Sequence, residues 1–284
     1  MSAPCANLLT DAQAAQFGRD GVLVVPGFYD VAREVEPIQR DIHKIIGILI
    51  GRHAPHLRQA PFKPDQFDSG FQDLIAQDRR LGGVVYDAVK QIPAFVRLTV
   101  SEKHDRLMRQ LRGSDLPGVA AGGSGIRIDH PHEERFRANW HQDYPSQFRS
   151  LDGLVFWSPL LPLTEEMGPL QIALGSHREG LAPVLTRDPD HPEKSGAYAL
   201  RLKDEAGRIA RYQQISPLLA PGDLAILDFL NLHASGHNRA QRSRWSMQIR
   251  YFNFREPTGQ RIEWAGSFAA GRSLREIHPE LVAD

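Results

Sequence analysis

The chain has 284 residues, with 34 lysines and arginines against 34 aspartates and glutamates, a formal net charge of zero, and 41% hydrophobic residues. A chain of that size buries enough surface to need no disulfide staple, and the balanced charge removes the electrostatic case for nucleic acid as the main partner. The single cysteine, Cys5, has no partner within the chain, which excludes an internal disulfide framework and fits a reducing cytoplasm.

The opening segment lacks a basic start followed by an apolar run, so no secretory signal is expected. The longest apolar stretch, around Ile45 to Ile50, is too short to cross a bilayer. Thr10 and Gln13 stand at capping-box spacing, and Gly21 can end the helix they start. Val22 to Val25 then reads as a strand ending at Pro26-Gly27. Residues 31 to 51 are helical by pattern, with apolar Val35, Ile38, Ile42, Ile45 and Ile46. The stretch 52 to 68 holds three prolines and no period, which reads as a loop. Helical patterning returns from Phe71 to Leu111, interrupted near Pro93.

After Gly113 the texture changes to short apolar segments separated by Gly, Pro and polar clusters. Gly125–Ile128, Leu154–Trp157, Leu170–Ala173, Leu224–Phe229 and Ser246–Phe252 read as strands. Tyr198–Lys203 and Ile209–Ile215 flank Asp204-Glu205-Ala206-Gly207 as an expected β-hairpin. The result is a mainly β sandwich or barrel with flanking helices. We take 1–284 as a single domain, with 1–112 as helical support, 113–260 as the β core and 261–284 as a C-terminal tail.

The residues that carry chemistry are His141 and Asp143, in Trp140-His141-Gln142-Asp143, and His233 ninety residues later. Positions i and i+2 of a strand share a face, so His141 and Asp143 can offer an imidazole and a carboxylate to one ion. A second histidine completes two histidines and one carboxylate, which cap one face of an octahedral iron(II) and leave positions open for oxygen. A His-x-Asp pair alone is common by chance. The region after it raises its weight. Pro221-Gly222-Asp223 makes a turn, Leu224 to Phe229 a strand, and Arg244 follows His233 by eleven residues at the head of the next strand. A guanidinium returned beside His233 can bind the distal carboxylate of 2-oxoglutarate as a fork, with the Ser235 hydroxyl beside it.

These motifs resemble the phytanoyl-CoA dioxygenase family of iron and 2-oxoglutarate oxygenases. The resemblance runs from Leu9-Thr10 to Asp20-Gly21 and Pro26-Gly27-Phe28. It continues through His141-Gln142-Asp143, Trp157, Gly168-Pro169-Leu170 and Gly175-Ser176-His177 to His233 and Arg244. It implies a double-stranded β-helix, a jelly-roll or cupin-like barrel, buttressed by N-terminal helices. It implies iron(II) on His141, Asp143 and His233, and the distal carboxylate of 2-oxoglutarate on Arg244 and Ser235, with Gln142 and Trp157 lining its pocket. The implied reaction uses O2 to hydroxylate a small organic molecule, releasing succinate and CO2. It is a hydroxylation because Asp143 fills the place where chlorinating relatives carry a small residue. Leu174 stands where the family usually has proline, and the family's cationic contact ahead of His-x-Asp has only Arg127 as a candidate.

Blander readings stand beside these. His237, four residues after His233, reads as an exposed loop histidine, His177 as a turn residue bonding backbone, and His130 and His132 as part of a solvated loop. The cluster His53, His56, Arg58 and Lys63 reads as an ordinary polar loop. Arg250 shares a strand face with Arg244, but six residues of strand is about 20 Å, too far to share one carboxylate. It reads as structural, paired with an acid. Two rivals remain for the whole: a cupin-like metalloenzyme that does not use 2-oxoglutarate, and a non-enzymatic β-sandwich binding module. Residues 179 to 215 and 52 to 68 are the candidates for the substrate mouth.

Overall fold

The computed structural model describes residues 7–192, 194–266 and 272–283. Cys5 lies outside them. Helix α1 (Asp11–Asp20) is closed as its sequence demands: Thr10 and Gln13 form the reciprocal capping box, and Gly21 at φ 70° takes the left-handed cap. Strand β1 (Val22–Val25) follows, and a π-helical turn (Val31–Val35) leads into α2 (Glu36–His53). Ile38, Ile42, Ile46 and Ile50 recur at helical spacing and make its buried face. The chain continues through α3 (Phe71–Gln77), α4 (Arg80–Val89), α5 (Pro93–Thr99) and α6 (Glu102–Arg112). Pro93 sits in the first turn of α5, where its missing N–H costs nothing.

The remaining strands are β2 (Pro117–Val119), β3 (Gly125–Asp129), β4 (Gly153–Pro159), β5 (Leu170–Ala173), β6 (Val184–Leu185), β7 (Arg201–Leu202), β8 (Gln214–Ile215), β9 (Leu224–Asp228), β10 (His233–Ser235) and β11 (Arg244–Asn253). A 6-stranded antiparallel sheet runs β1-β9-β4-β11-β2, with β3 also on β11, and a 3-stranded sheet runs β10-β5-β8. Period-two alternation divides the large sheet cleanly. Leu154 and Phe156, Leu224 and Ile226, and Trp245, Met247, Ile249 and Tyr251 face the helices and join one core. Val155, Trp157, Ala225 and Leu227 face the other way and pack with Leu170 and Ile172 of the small sheet in a second core. On β11 that second face carries Arg244, Ser246, Gln248 and Arg250, and the site lies on it.

The expected hairpin across residues 198–215 does not form. Asp204 takes a left-handed conformation at φ 53° and starts helix α8 (Glu205–Ile209). The flanking segments pair elsewhere: β7 with β6, and β8 with β5 through Ile172 and Ile215. Alternation marked these residues as strand-like but carried no information about which strand each would meet. After helix α9 (Pro257–Arg261), the described residues 272–283 pack on the body: helix α10 (Leu274–Ile277) buries Leu274 and Ile277, and Val282 bridges Val184 in parallel.

Candidate metal centre

His141 and His233 pair as an isolated antiparallel bridge, each donating its backbone N–H to the other's carbonyl at 2.9 and 3.0 Å. The expectation that Asp143 shares a strand with His141 fails. Asp143 has helical angles, φ −71° and ψ −35°, and caps the short helix α7 (Tyr144–Gln147). Its N–H instead donates to Phe229 O, which anchors the turn to the end of β9. The turn still brings the groups together: one donor atom each from His141, Asp143 and His233 lies within 4.8 Å of the others.

The hydrogen bonds fix which atoms those are. His141 Nδ1 lies 2.7 Å from Asn139 O, and His233 Nδ1 lies 2.9 Å from Asn231 O. A carbonyl only accepts, so both Nδ1 atoms are protonated and both Nε2 atoms present a lone pair. Asp143 Oδ2 is 3.7 Å from His233 Nε2, buried, and without a hydrogen-bond partner among the described residues. An unsatisfied carboxylate oxygen facing two imidazole lone pairs is costly unless a cation fills the gap. The donor set therefore fits a divalent metal. Electrostatics agree with that state. Burial pushes the Asp143 carboxyl up, but the charge of the Arg250 guanidinium leads the effects that outweigh it and hold it below its usual range. Burial, then the neighbouring His233, lowers His141 to about 3, and burial likewise lowers His233. All three groups are in their ligating forms at neutral pH.

Arg244 is almost wholly buried, its side chain 1% exposed. Nη2 donates to Asp129 Oδ2 at 2.8 Å and to Ser235 Oγ at 2.9 Å, and Nη1 donates to Gly168 O. Gly168, at φ 65°, packs on the backbone of Gly236 and His237, which a side chain there would strike. Asp129 also takes Arg127, and the two guanidinium groups overcome the cost of burial and lower its carboxyl to about 2. The cluster of two arginines and one aspartate keeps one net positive charge. Arg244 Nε is buried with no partner among the described residues, a donor left over for an anion. The simple two-pronged fork expected from sequence is thus partly spent on Asp129.

A cavity of about 260 Å³ opens on the metal triad, lined among others by Ser235, Trp157, Arg127, Gln248 and Arg250. Gln142 touches it too, but its amide is committed to backbone: Nε2 donates to Gly180 O and Leu230 O, and Oε1 accepts from Ala182 N. Gln142 braces the loop carrying its two neighbours.

A family model for phytanoyl-CoA dioxygenase (PhyH) matches residues 17–246. The chain belongs to that family. It is accordingly an enzyme of the iron- and 2-oxoglutarate-dependent oxygenase type. No curated protein matches it in sequence. Among solved structures it resembles EctD from S. alaskensis with bound Fe, at 18% identity and TM-score 0.57, over 89% of this chain and 79% of that one. The nogalamycin-biosynthesis carbocyclase SnoK, described as non-heme and alpha ketoglutarate dependent, matches at 13% identity and TM-score 0.54, over 87% and 85% of the two chains. At such identities these likenesses speak for the fold.

Within the PhyH frame the other histidines separate from the site. His237 is 49% exposed and pairs with Glu134 at 2.7 Å. His177 contacts Gly18 O of helix α1 at 3.3 Å, and the preceding Ser176 ties Ala173 O to Leu232 N, next to His233. His130 departs from the solvated loop expected of it. It is buried, stacks on Phe71, contacts Ser243 Oγ at 3.0 Å, and burial lowers it to about 4. Loop 52–68 contributes nothing to the cavity wall, whereas Val184, Leu200, Arg201 and Leu202 do. Sequence reasoning missed Arg250 as a site residue: its acid is Asp143 itself, at 2.9 Å. The signal was its shared strand face with Arg244; the six-residue spacing measured distance to the wrong carboxylate.

Proposed function

We propose that this PhyH enzyme holds iron(II) on His141, Asp143 and His233 and hydroxylates a small organic substrate while converting 2-oxoglutarate to succinate and CO2. The observation that carries the reading is the unpartnered, buried Asp143 Oδ2 facing two histidines whose Nδ1 atoms are both committed to carbonyls. Bound iron supplies the activation of O2; the chain supplies binding, orientation and exclusion of water. Ser235 Oγ, Arg244 Nε and the surplus charge of the Arg127–Asp129–Arg244 cluster hold the distal carboxylate of 2-oxoglutarate, and Trp157 walls the space beside it. The substrate enters between Tyr86 and Lys90 on the α4 side, Gly122–Gly125, and Leu200–Leu202.

The finer architecture we read as a double-stranded β-helix forming one domain, with 1–112 as its helical buttress. The support is the small sheet packed on the inner face of the large one, with the metal ligands between them. Among the described residues no helix is long and apolar enough to cross a membrane. A cytoplasmic location is our reading of the lone cysteine and rests on composition.

The test is succinate formation by iron-loaded protein across a broad library of small metabolites, with oxygenated product identified by mass. Substrate-stimulated succinate that disappears in His233→Ala supports the reading. Product without succinate would replace it with a metalloenzyme that does not consume 2-oxoglutarate.

A further inference from the structure

Asp143 offers a metal only one of its two oxygens, because the other is taken. Arg250 Nη2 and Nε donate to Oδ1 at 2.9 and 3.2 Å, leaving Oδ2 aimed at the histidines. The arginine is itself held on every side. Nη1 donates to Gly123 O at 2.6 Å and Nη2 to Gln248 Oε1 at 2.9 Å, and its backbone N–H donates to Ser124 Oγ at 3.2 Å. Its side chain is 11% exposed, and it lines the cavity. A planar guanidinium fixed at one end by the strand and at the other by Gly123 has little freedom to release the carboxylate.

We infer that Arg250 is a positioning residue of the metal centre: it clamps Asp143 Oδ1 so that the carboxylate is correctly rotated and restricted to Oδ2 before metal arrives. The inference rests on the proposed iron site. It opposes a simpler electrostatic expectation. A guanidinium near a divalent cation repels it, so an arginine that acted through charge alone would weaken metal binding, and its loss would tighten it. A clamp has the opposite sign. Without it, the buried carboxylate turns or offers both oxygens, and the site must be rebuilt each time metal binds.

The direction of change therefore decides. Mn(II) and Co(II) are titrated into metal-free protein and into Arg250→Met and Arg250→Lys variants by calorimetry, with folding of each variant checked by circular dichroism. The Co(II) absorption spectrum serves as a readout of the ligand set. Arg250→Met is expected to bind metal about ten- to a hundredfold more weakly and to show an altered Co(II) spectrum. Arg250→Lys, which keeps the charge but loses the fork, should fall between it and the unaltered protein. Unchanged or tighter binding in folded Arg250→Met overturns the inference. If Arg250→Met does not fold, Arg250→Lys decides alone, and metal affinity and a Co(II) spectrum matching the unaltered protein overturn it. Failure of the unaltered protein to bind either metal removes the iron site and this inference together, whereas normal binding with indifferent variants removes the inference only.

Discussion

Each ligand of the metal site depends on a neighbour that is not a ligand. His141 is turned by Asn139 O and His233 by Asn231 O, each through its Nδ1. His237, by contrast, pairs with exposed Glu134 and faces away. His233→Ala should abolish metal binding and turnover, while His237→Ala should leave both nearly unchanged, because an exposed ion pair contributes at most about 1 kcal/mol. Calorimetric metal titration of the two variants checks this, and the reverse pattern would reassign the ligand. For the cosubstrate, Arg244→Lys should raise the apparent KM for 2-oxoglutarate. Lysine has no Nε–H at that depth and would abandon some of Ser235 Oγ, Gly168 O and Asp129. Losing one charge-assisted hydrogen bond of about 1.5–3 kcal/mol corresponds to roughly ten- to a hundredfold. Steady-state kinetics with varied 2-oxoglutarate measure it, and an unchanged KM would remove Arg244 from the anchor. The grouping of His141, Asp143 and His233, and the contact of Arg244 with Ser235, were legible in the sequence because metal and carboxylate chemistry restricts residue type and spacing. Asp129 was not, since an acid beside an arginine proposed to hold an anion contradicts the simplest pairing and only register reveals it: Asp129 lies directly across from Arg244 in the β3–β11 ladder.

At the scale of elements, local signals predicted local structure and failed where the partner is distant. The capping box of α1, the isoleucine face of α2 and the segments of β4, β5, β9 and β11 are near-neighbour patterns, and they appear where the sequence placed them. The pairing of β8 with β5, and the docking of residues 272–283 on Val184, depend on surfaces far away in sequence. That last docking reaches the metal loop. Tyr144, next to Asp143, has its hydroxyl 2.9 Å from His278 Nε2, and His278 Nδ1 lies 3.0 Å from Glu280. The carboxylate accepts from Nδ1, so the ring is held between Glu280 and the tyrosine hydroxyl. Val282 and Ala283 meanwhile pair with the backbone of Val184, itself a residue of the cavity wall. Deleting 273–284 should therefore weaken metal binding although it removes no ligand, and Tyr144→Phe should reproduce a part of the loss, about 1 kcal/mol or roughly fivefold. Titration of Mn(II) into the truncated, folded protein tests it; an affinity equal to that of the full chain would make the C-terminal segment irrelevant to the site.

Across the whole molecule the large sheet serves two cores, and the join between helices and sheet includes a buried polar residue. His104 of α6 is fully buried, stacks on Phe156 of β4 at 4.6 Å, meets the ring of Tyr251 of β11 edge-on, and contacts Tyr29 OH at 2.7 Å. Hydropathy patterning could not single it out, because a histidine on an apolar helix face reads like any surface residue that happens to fall there. Burial lowers His104 from 6.5 to about 3, so it stays neutral in the folded chain. The unfolded chain then binds the proton first as pH falls. The contribution to stability is complete above about pH 6.5 and is lost progressively as pH drops towards 3. Within that window one extra proton on the unfolded state gives a slope of about 1.4 kcal/mol per pH unit. His130, lowered to about 4 with burial as the leading cause, adds a slope of the same sign over a narrower range. The paired variant His104→Phe with Tyr29→Phe removes the titrating group without stranding a buried hydroxyl, and His130 remains. Urea unfolding of metal-free protein between about pH 4 and 6 should show the variant's stability falling less steeply than that of the unaltered chain, by about one proton's worth of slope. Equal slopes would mean that His104 takes its proton as readily folded as unfolded, and that the joint between helices and sheet admits charge.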